Sequence, residues 1–143
     1  MECINYFFED IPEDLKLKDP QFSIWINTIV ESYNQRIAAI NYIYCSDNYL
    51  LQVNTTYLNH DYYTDIITFD NREKTIDPLE ADIFISLDRV RENANIQATP
   101  FTDELNRVMI HGVLHLLGQG DKSIQERDEM RKKEEASLSL RKF

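Results

Sequence analysis

Residues 102–121, TDELNRVMIHGVLHLLGQGD, constrain this chain more than any other stretch. Thr102 reads as an N-cap, with Asp103 and Glu104 in the first turn, where acids suit the helix dipole. The helix runs through LNRVMIHGVLHLL and stops at Gly118, a natural residue just past a helix end. His111 and His115 are four apart, so both imidazoles project from one face, about one turn apart. Glycine reaches positive φ and ends a helix sharply, so the chain can turn back and bring Asp121 toward the two histidines. The frame is H-x-x-x-H-x-x-G-x-x-D, in a chain with 3 His in all. Two histidines at this spacing can be packed or surface residues. With a glycine turn and a third donor behind them, they read as ligands of one zinc-like ion per chain, His111, His115 and Asp121.

The spacing matches the ligand frame of the metzincin peptidases, H-E-x-x-H-x-x-G-x-x-H. Those enzymes carry a glutamate directly after the first histidine as general base, and here that position is Gly112. The helix therefore offers no carboxylate to activate water for peptide cleavage.

The surrounding chain is the size of one ordinary domain. It has 143 residues, 43% hydrophobic, with 3 Gly and 4 Pro, so residues 1–143 are expected to form one domain with its own core. The charge is −10 and uneven: residues 1–70 hold 11 acidic and 3 basic side chains, residues 71–143 hold 14 and 12. An acidic chain repels polyanions, so a nucleic-acid contact is expected in the C-terminal half, near Arg89, Arg91, Arg107, Lys122, Arg127 and Arg131–Lys133. Each of these also reads as an ordinary solvated cation. Cys3 and Cys45 make no disulfide framework, and Cys45 lies in an apolar run as a buried thiol. The N-terminus MECINYFFED lacks the basic start of a signal peptide, and no stretch approaches membrane-span length, so a cytoplasmic protein is expected.

Local patterns give an α+β chain: a small mixed sheet with about five helices, one of them a zincin-like metal-binding helix. Strands are expected at 3–8, 37–45, 66–70 and 81–86. The last two can form a hairpin or splay apart. Asp19-Pro20 opens a helix on which Phe22, Trp25, Ile26, Ile29, Val30 and Tyr33 recur at helical spacing. Asp47 caps a second helix, with Leu50, Val53, Asn54 and Tyr57 on one face, and Ser86 caps a third. Ser123 and Glu126 form a capping box for a final helix, 124–138.

At this level the sequence resembles a family. HGVLHLLG (111–118) is similar to the signature of the YbeY-type endoribonucleases that mature ribosomal RNA, H-G-x-L-H-L-x-G-x-D-H. YLNHDYYTDIITF (57–69) resembles that family's tyrosine-led loop, ADIFIS (81–86) its G-D-I-x-I-S strand, and Met130 with Glu134–Glu135 its final helix. The resemblance covers roughly residues 47–135. It implies a zinc-dependent hydrolase that cuts single-stranded RNA in small-subunit (16S) rRNA 3′-end maturation and ribosome quality control. The implied partners are single-stranded rRNA and the small ribosomal subunit, with no membrane and no DNA.

Departures from the family are specific. The third ligand there is histidine and here position 121 is Asp, although an insertion can instead align Asp121 with the family's Asp and leave Lys122 opposite the missing histidine. Leu58 replaces the usual Arg after the loop tyrosine, His60 stands where Lys is common and Tyr63 where Pro is. The sequence does not identify the general base; Asp65, Asp82 and His60 are the candidates, and either aspartate can also orient a ligand histidine. Two rival readings stand beside the nuclease: a zincin-like metallopeptidase on the same frame, and a ribosome-assembly factor that binds without catalysis.

Overall fold

A computed structural model describes residues 3–143. Met1 and Glu2, on which part of the signal-peptide reading rests, lie outside them. Four strands, β1 (Ile4–Glu9), β2 (Ile37–Cys45), β3 (Ile66–Asp70) and β4 (Leu79–Ser86), form one sheet in the order β1-β2-β4-β3. β1, β2 and β4 run parallel, and β3 closes the far edge antiparallel to β4. The expected α+β class with a mixed sheet is therefore what the chain forms, and the 66–70 and 81–86 segments pair as a hairpin.

Because side chains alternate along a strand, the register sorts the sheet into two faces. Ile4, Ile40 and Ala81 align across three strands, as do Tyr6, Tyr42 and Ile83, and these residues face the main core. On that core pack α1 (Pro20–Ser32), α3 (Leu87–Gln97), α4 (Phe101–Leu116) and α5 (Ile124–Leu138) through Trp25, Ile29, Val90, Met109, Val113 and Met130. The opposite face carries a smaller cluster, in which Leu50 and Val53 of α2 (Asp47–Leu58) meet Cys45 and Ile67. It also carries a polar row: Asn5 donates to Asn41 and Asn41 to Asp82, at 3.2 and 3.0 Å, and Asn71 donates to the other Asp82 oxygen. Burial pushes the Cys45 thiol up to about 12, as befits an interior residue.

Two helix starts differ from expectation. Ser46, not Asp47, caps α2, its hydroxyl accepting from the Tyr49 N–H; Asp47 is the first helical residue and binds Arg89 and Ser86 instead. Pro100, not Thr102, occupies the cap position of α4, with no side-chain cap bond. Proline there favours an extended backbone just before the helix begins. Tyr57 of α2 is exposed rather than packed with Leu50 and Val53, its ring meeting Phe69 edge-on. A short 3-10 turn at Leu15–Lys18 joins β1 to α1. No helix among the described residues is long and apolar enough to cross a membrane.

α4 is the element that matters for chemistry. It is buried along most of its length, and the Tyr42 hydroxyl, itself interior, donates to its Met109 carbonyl at 3.0 Å. Gly112 lies where α4 crosses the β3–β4 hairpin: a Cβ there would sit 3.0 Å from Ile66 Cδ1 and Thr68 Oγ1 and 3.3 Å from Ile83 Cδ1. The glycine thus lets helix and sheet approach closely.

Candidate metal centre

The last turn of α4 presents His111 and His115 toward solvent while the rest of that turn is buried. Gly118, at φ 102°, reverses the chain past the helix end. The returning segment is fastened at both sides. The Gln119 N–H donates to Leu114 O, and the Glu126 carboxylate of the α5 capping box accepts from the Lys122 and Ser123 N–H groups. Asp121 is held between these anchors.

The result is three donor atoms facing one point. His111 Nε2 and His115 Nε2 are 3.0 Å apart, and Asp121 Oδ2 lies 3.1 Å from His115 Nε2 and 3.3 Å from His111 Nε2. Zinc bonds of about 2.0–2.1 Å separate tetrahedral ligand atoms by about 3.3 Å, and octahedral bonds of about 2.1 Å separate neighbours by about 3.0 Å. The triangle therefore fits one face of either polyhedron around a first-row divalent ion. Two imidazole lone pairs and a carboxylate this close repel one another unless a cation or proton lies between them. His111, His115 and Asp121 together could hold a metal ion.

The orientation of His111 has its own cause. Its Nδ1 lies 2.6 Å from Glu134 Oε2, a contact that fixes the proton on Nδ1 and leaves Nε2 free as a ligand. Glu134, on α5, is almost fully buried. Burial alone would raise its carboxyl, but the hydrogen bond from His111 and the charge of Arg107 outweigh burial and hold it below the ordinary range. The Arg107 guanidinium spans Glu134 and the buried Glu104. Its hydrogen bonds to Glu104, more than anything else, keep it firmly charged. Arg107, expected among possible phosphate contacts, is thus an internal counter-ion.

His111, His115 and Asp121 open onto a cleft of about 630 Å³, which Leu58, His60, Tyr62, Asp65 and Lys122 also line. His60 and Asp65 are therefore brought to the site. Asp82 is not: it lies on the opposite sheet face, bonded to Asn41 and Asn71, because its register puts it one residue out of phase with Ile83. Asp65 is raised above the ordinary carboxyl range by burial, a shift that Arg107 and His111 only partly offset. Glu134 was legible in the sequence only as a family match. The fold places it on the buried stripe of an otherwise charged helix, with Met130 and Ser137.

The endoribonuclease YbeY family model matches residues 8–141. The chain belongs to the endoribonuclease YbeY family. It is 52% identical over 142 residues to the endoribonuclease YbeY of Cytophaga hutchinsonii, covering 99% of this chain and 98% of that one. It is 45% identical over 138 residues to the endoribonuclease YbeY of Parabacteroides distasonis, covering 96% and 95%. The solution structure of TM1509 from Thermotoga maritima superposes with a TM-score of 0.67 at 25% identity, over 95% of this chain and 87% of that one.

Within this YbeY fold, Gly112 explains why no peptidase glutamate follows His111. Ile66, Thr68 and Ile83 occupy the space a side chain would need. Gly112→Glu should therefore not install a general base. It should wedge α4 off the hairpin and lower stability by about 1–3 kcal/mol from overpacking, with the burial of a carboxylate adding to that. Thermal unfolding measures this; a variant as stable as the parent would show that the contact can open freely.

Proposed function

We propose that residues 1–143 act as one cytoplasmic, zinc-dependent endoribonuclease domain that cuts single-stranded RNA, with small-subunit rRNA near its 3′ end as substrate. The observation that carries this reading is the convergence of His111, His115 and Asp121 on one point in a solvent-open cleft. Membership in the YbeY family and the packed Gly112 favour a nuclease over a peptidase. The ligand set is two imidazoles and one carboxylate, where the family signature has three histidines.

His111, His115 and Asp121 would hold a zinc ion, which would supply Lewis acidity for a phosphoryl oxygen and for water. The residues of the chain divide the remaining work. Glu134 orients His111, and the 118–123 turn holds Asp121 in place. Asp65 lines the same cleft as the three donors and serves as the proton acceptor for the attacking water. The water oxygen bonds to phosphorus as the bridging P–O bond breaks; the proton Asp65 accepts passes to solvent, and the departing alkoxide oxygen takes a proton from solvent to become a hydroxyl.

The test is cleavage of a single-stranded RNA beside a duplex and beside casein, with and without a chelator. Single-stranded RNA should be cut, the other two spared, and chelation should stop the reaction. Asp65→Asn should lower the rate about 10²- to 10⁴-fold with metal occupancy unchanged. Chelator-resistant RNA cleavage, or casein cleavage in its place, removes the reading.

A further inference from the structure

The cleft is poor in cations. Lys122 is its only lysine or arginine among the described residues, against Asp65, Asp70 and Asp121. Arg107 is committed to Glu104 and Glu134, and Arg89 to Asp47. Arg72 is committed to Asp70 and the Leu116 carbonyl. Beyond the metal ion itself, an RNA strand entering this cleft therefore meets little side-chain charge to neutralise its phosphates, and further affinity has to come from elsewhere.

The rim offers an alternative. Between Tyr57 and Tyr63 the chain exposes three tyrosines, and Tyr62, 55% accessible, lines the cleft. The Tyr62 ring is stacked on His60, centroids 5.1 Å apart and planes within 20°, and its hydroxyl lies 2.9 Å from His60 Nδ1. The backbone beneath is pinned. Asn54, buried within α2, donates to the Tyr62 carbonyl at 2.9 Å. The Thr55 hydroxyl donates to the His60 carbonyl at 3.1 Å, and the His60 N–H to the Asn54 carbonyl. Asn59 ends α2 at φ 55°, the left-handed turn that sends the segment across the cleft. A single exposed aromatic is ordinary. A pair stacked, hydrogen-bonded and anchored at the mouth of a cleft is a preorganised flat surface that loses little entropy when something lies on it.

We infer that the His60–Tyr62 pair is a stacking platform for an unpaired nucleobase of the RNA strand, placed beside the metal centre. This rests on the nuclease reading above and adds the source of binding energy. Stacking tolerates any base but requires it to be unpaired, which a duplex cannot offer.

The experiment is binding of a single-stranded RNA oligonucleotide to the metal-loaded full chain, read by stopped-flow fluorescence anisotropy before the strand is cut. Tyr62→Leu should weaken binding about 5- to 100-fold. Tyr62→Phe, which keeps the ring, should recover most of it. An oligonucleotide with one abasic position in the right register should bind the parent more weakly by a similar factor, yet bind Tyr62→Leu no more weakly than the intact strand does. With one cation at the cleft, raising salt from about 50 to 200 mM should weaken binding only about threefold, against several hundredfold for six phosphate contacts. Metal occupancy of each variant reports that the fold is intact.

If the parent cuts RNA while Tyr62→Leu and the abasic strand change nothing, or if the salt response is steep, the platform is wrong and the nuclease reading stands. If Tyr62→Leu loses small-subunit association but binds the oligonucleotide normally, the ring meets protein and the platform is wrong. If the parent neither binds nor cuts single-stranded RNA, the nuclease reading fails and the platform with it.

Discussion

Alanine at both His111 and His115 should leave the protein folded, without bound metal and without hydrolytic activity. Two of the three converging donors are then gone, and Asp121 alone, partly exposed to water, is an ordinary surface carboxylate. Elemental analysis of the purified variants measures occupancy, expected at about one ion per chain in the parent; full occupancy in the double variant would falsify the site. Single variants grade the ligands. Asp121→Ala should also weaken binding strongly, whereas Lys122→Ala should leave occupancy nearly unchanged, because a protonated ammonium has no lone pair to offer. Asp121→His should retain metal and shift preference toward zinc. A carboxylate lowers the net charge at the ion and widens tolerance toward harder ions such as Mn²⁺. If Asp121→Ala keeps wild-type affinity, another residue completes the site, and His60 is the first to test.

Glu134→Ala should act on two measurements at once. Metal affinity should fall about 10- to 100-fold, because His111 loses the acceptor that fixes its proton on Nδ1. Stability should fall by about 3 kcal/mol, toward the low end for breaking a buried ion pair, since Arg107 keeps Glu104 as a partner. The pH dependence follows from the direction of the shift. A carboxyl held below its ordinary value stabilises the fold fully above that ordinary value, and the contribution is lost as pH falls through the lowered one. The parent should therefore resist mild acid better than the variant, and the difference should close at low pH. A Glu134→Ala protein with parental metal affinity and parental acid unfolding would mean that the His111–Glu134 contact contributes nothing.

The two outcomes separate what a histidine supplies as a ligand from what its support supplies as geometry. They also bear on Arg107. In sequence it belongs to the C-terminal half, which holds 12 of the chain's 15 basic residues; in the fold it is enclosed by acids and faces inward. Lys122 alone of the basic residues considered for phosphate contact lines the cleft. The charge count of a segment does not reveal which cations are already spent on neighbours, because pairing is decided by helix packing, here of α4 on α5.

Local pattern determined a good deal. The strands at 37–45 and 66–70 and the helix at 124–138 follow from β-branched runs and a capping box, interactions complete within a few residues. The pairing of His111 with His115 follows from helical periodicity, and the return of Asp121 from a glycine that reaches φ 102°. These are short-range facts, and one sequence carries them. Tertiary structure decided the rest, for reasons of register and crossing geometry. The pleat alternation along β4 sends Asp82 to the far face while Asp65, just before β3, stays in the cleft. The close crossing of α4 over the hairpin turns Gly112 from a missing catalytic group into a packing requirement. The docking of α5 brings Glu134 to His111 across 23 residues of chain. No local pattern encodes that meeting, because it depends on where two helices lie once the sheet between them and solvent has formed.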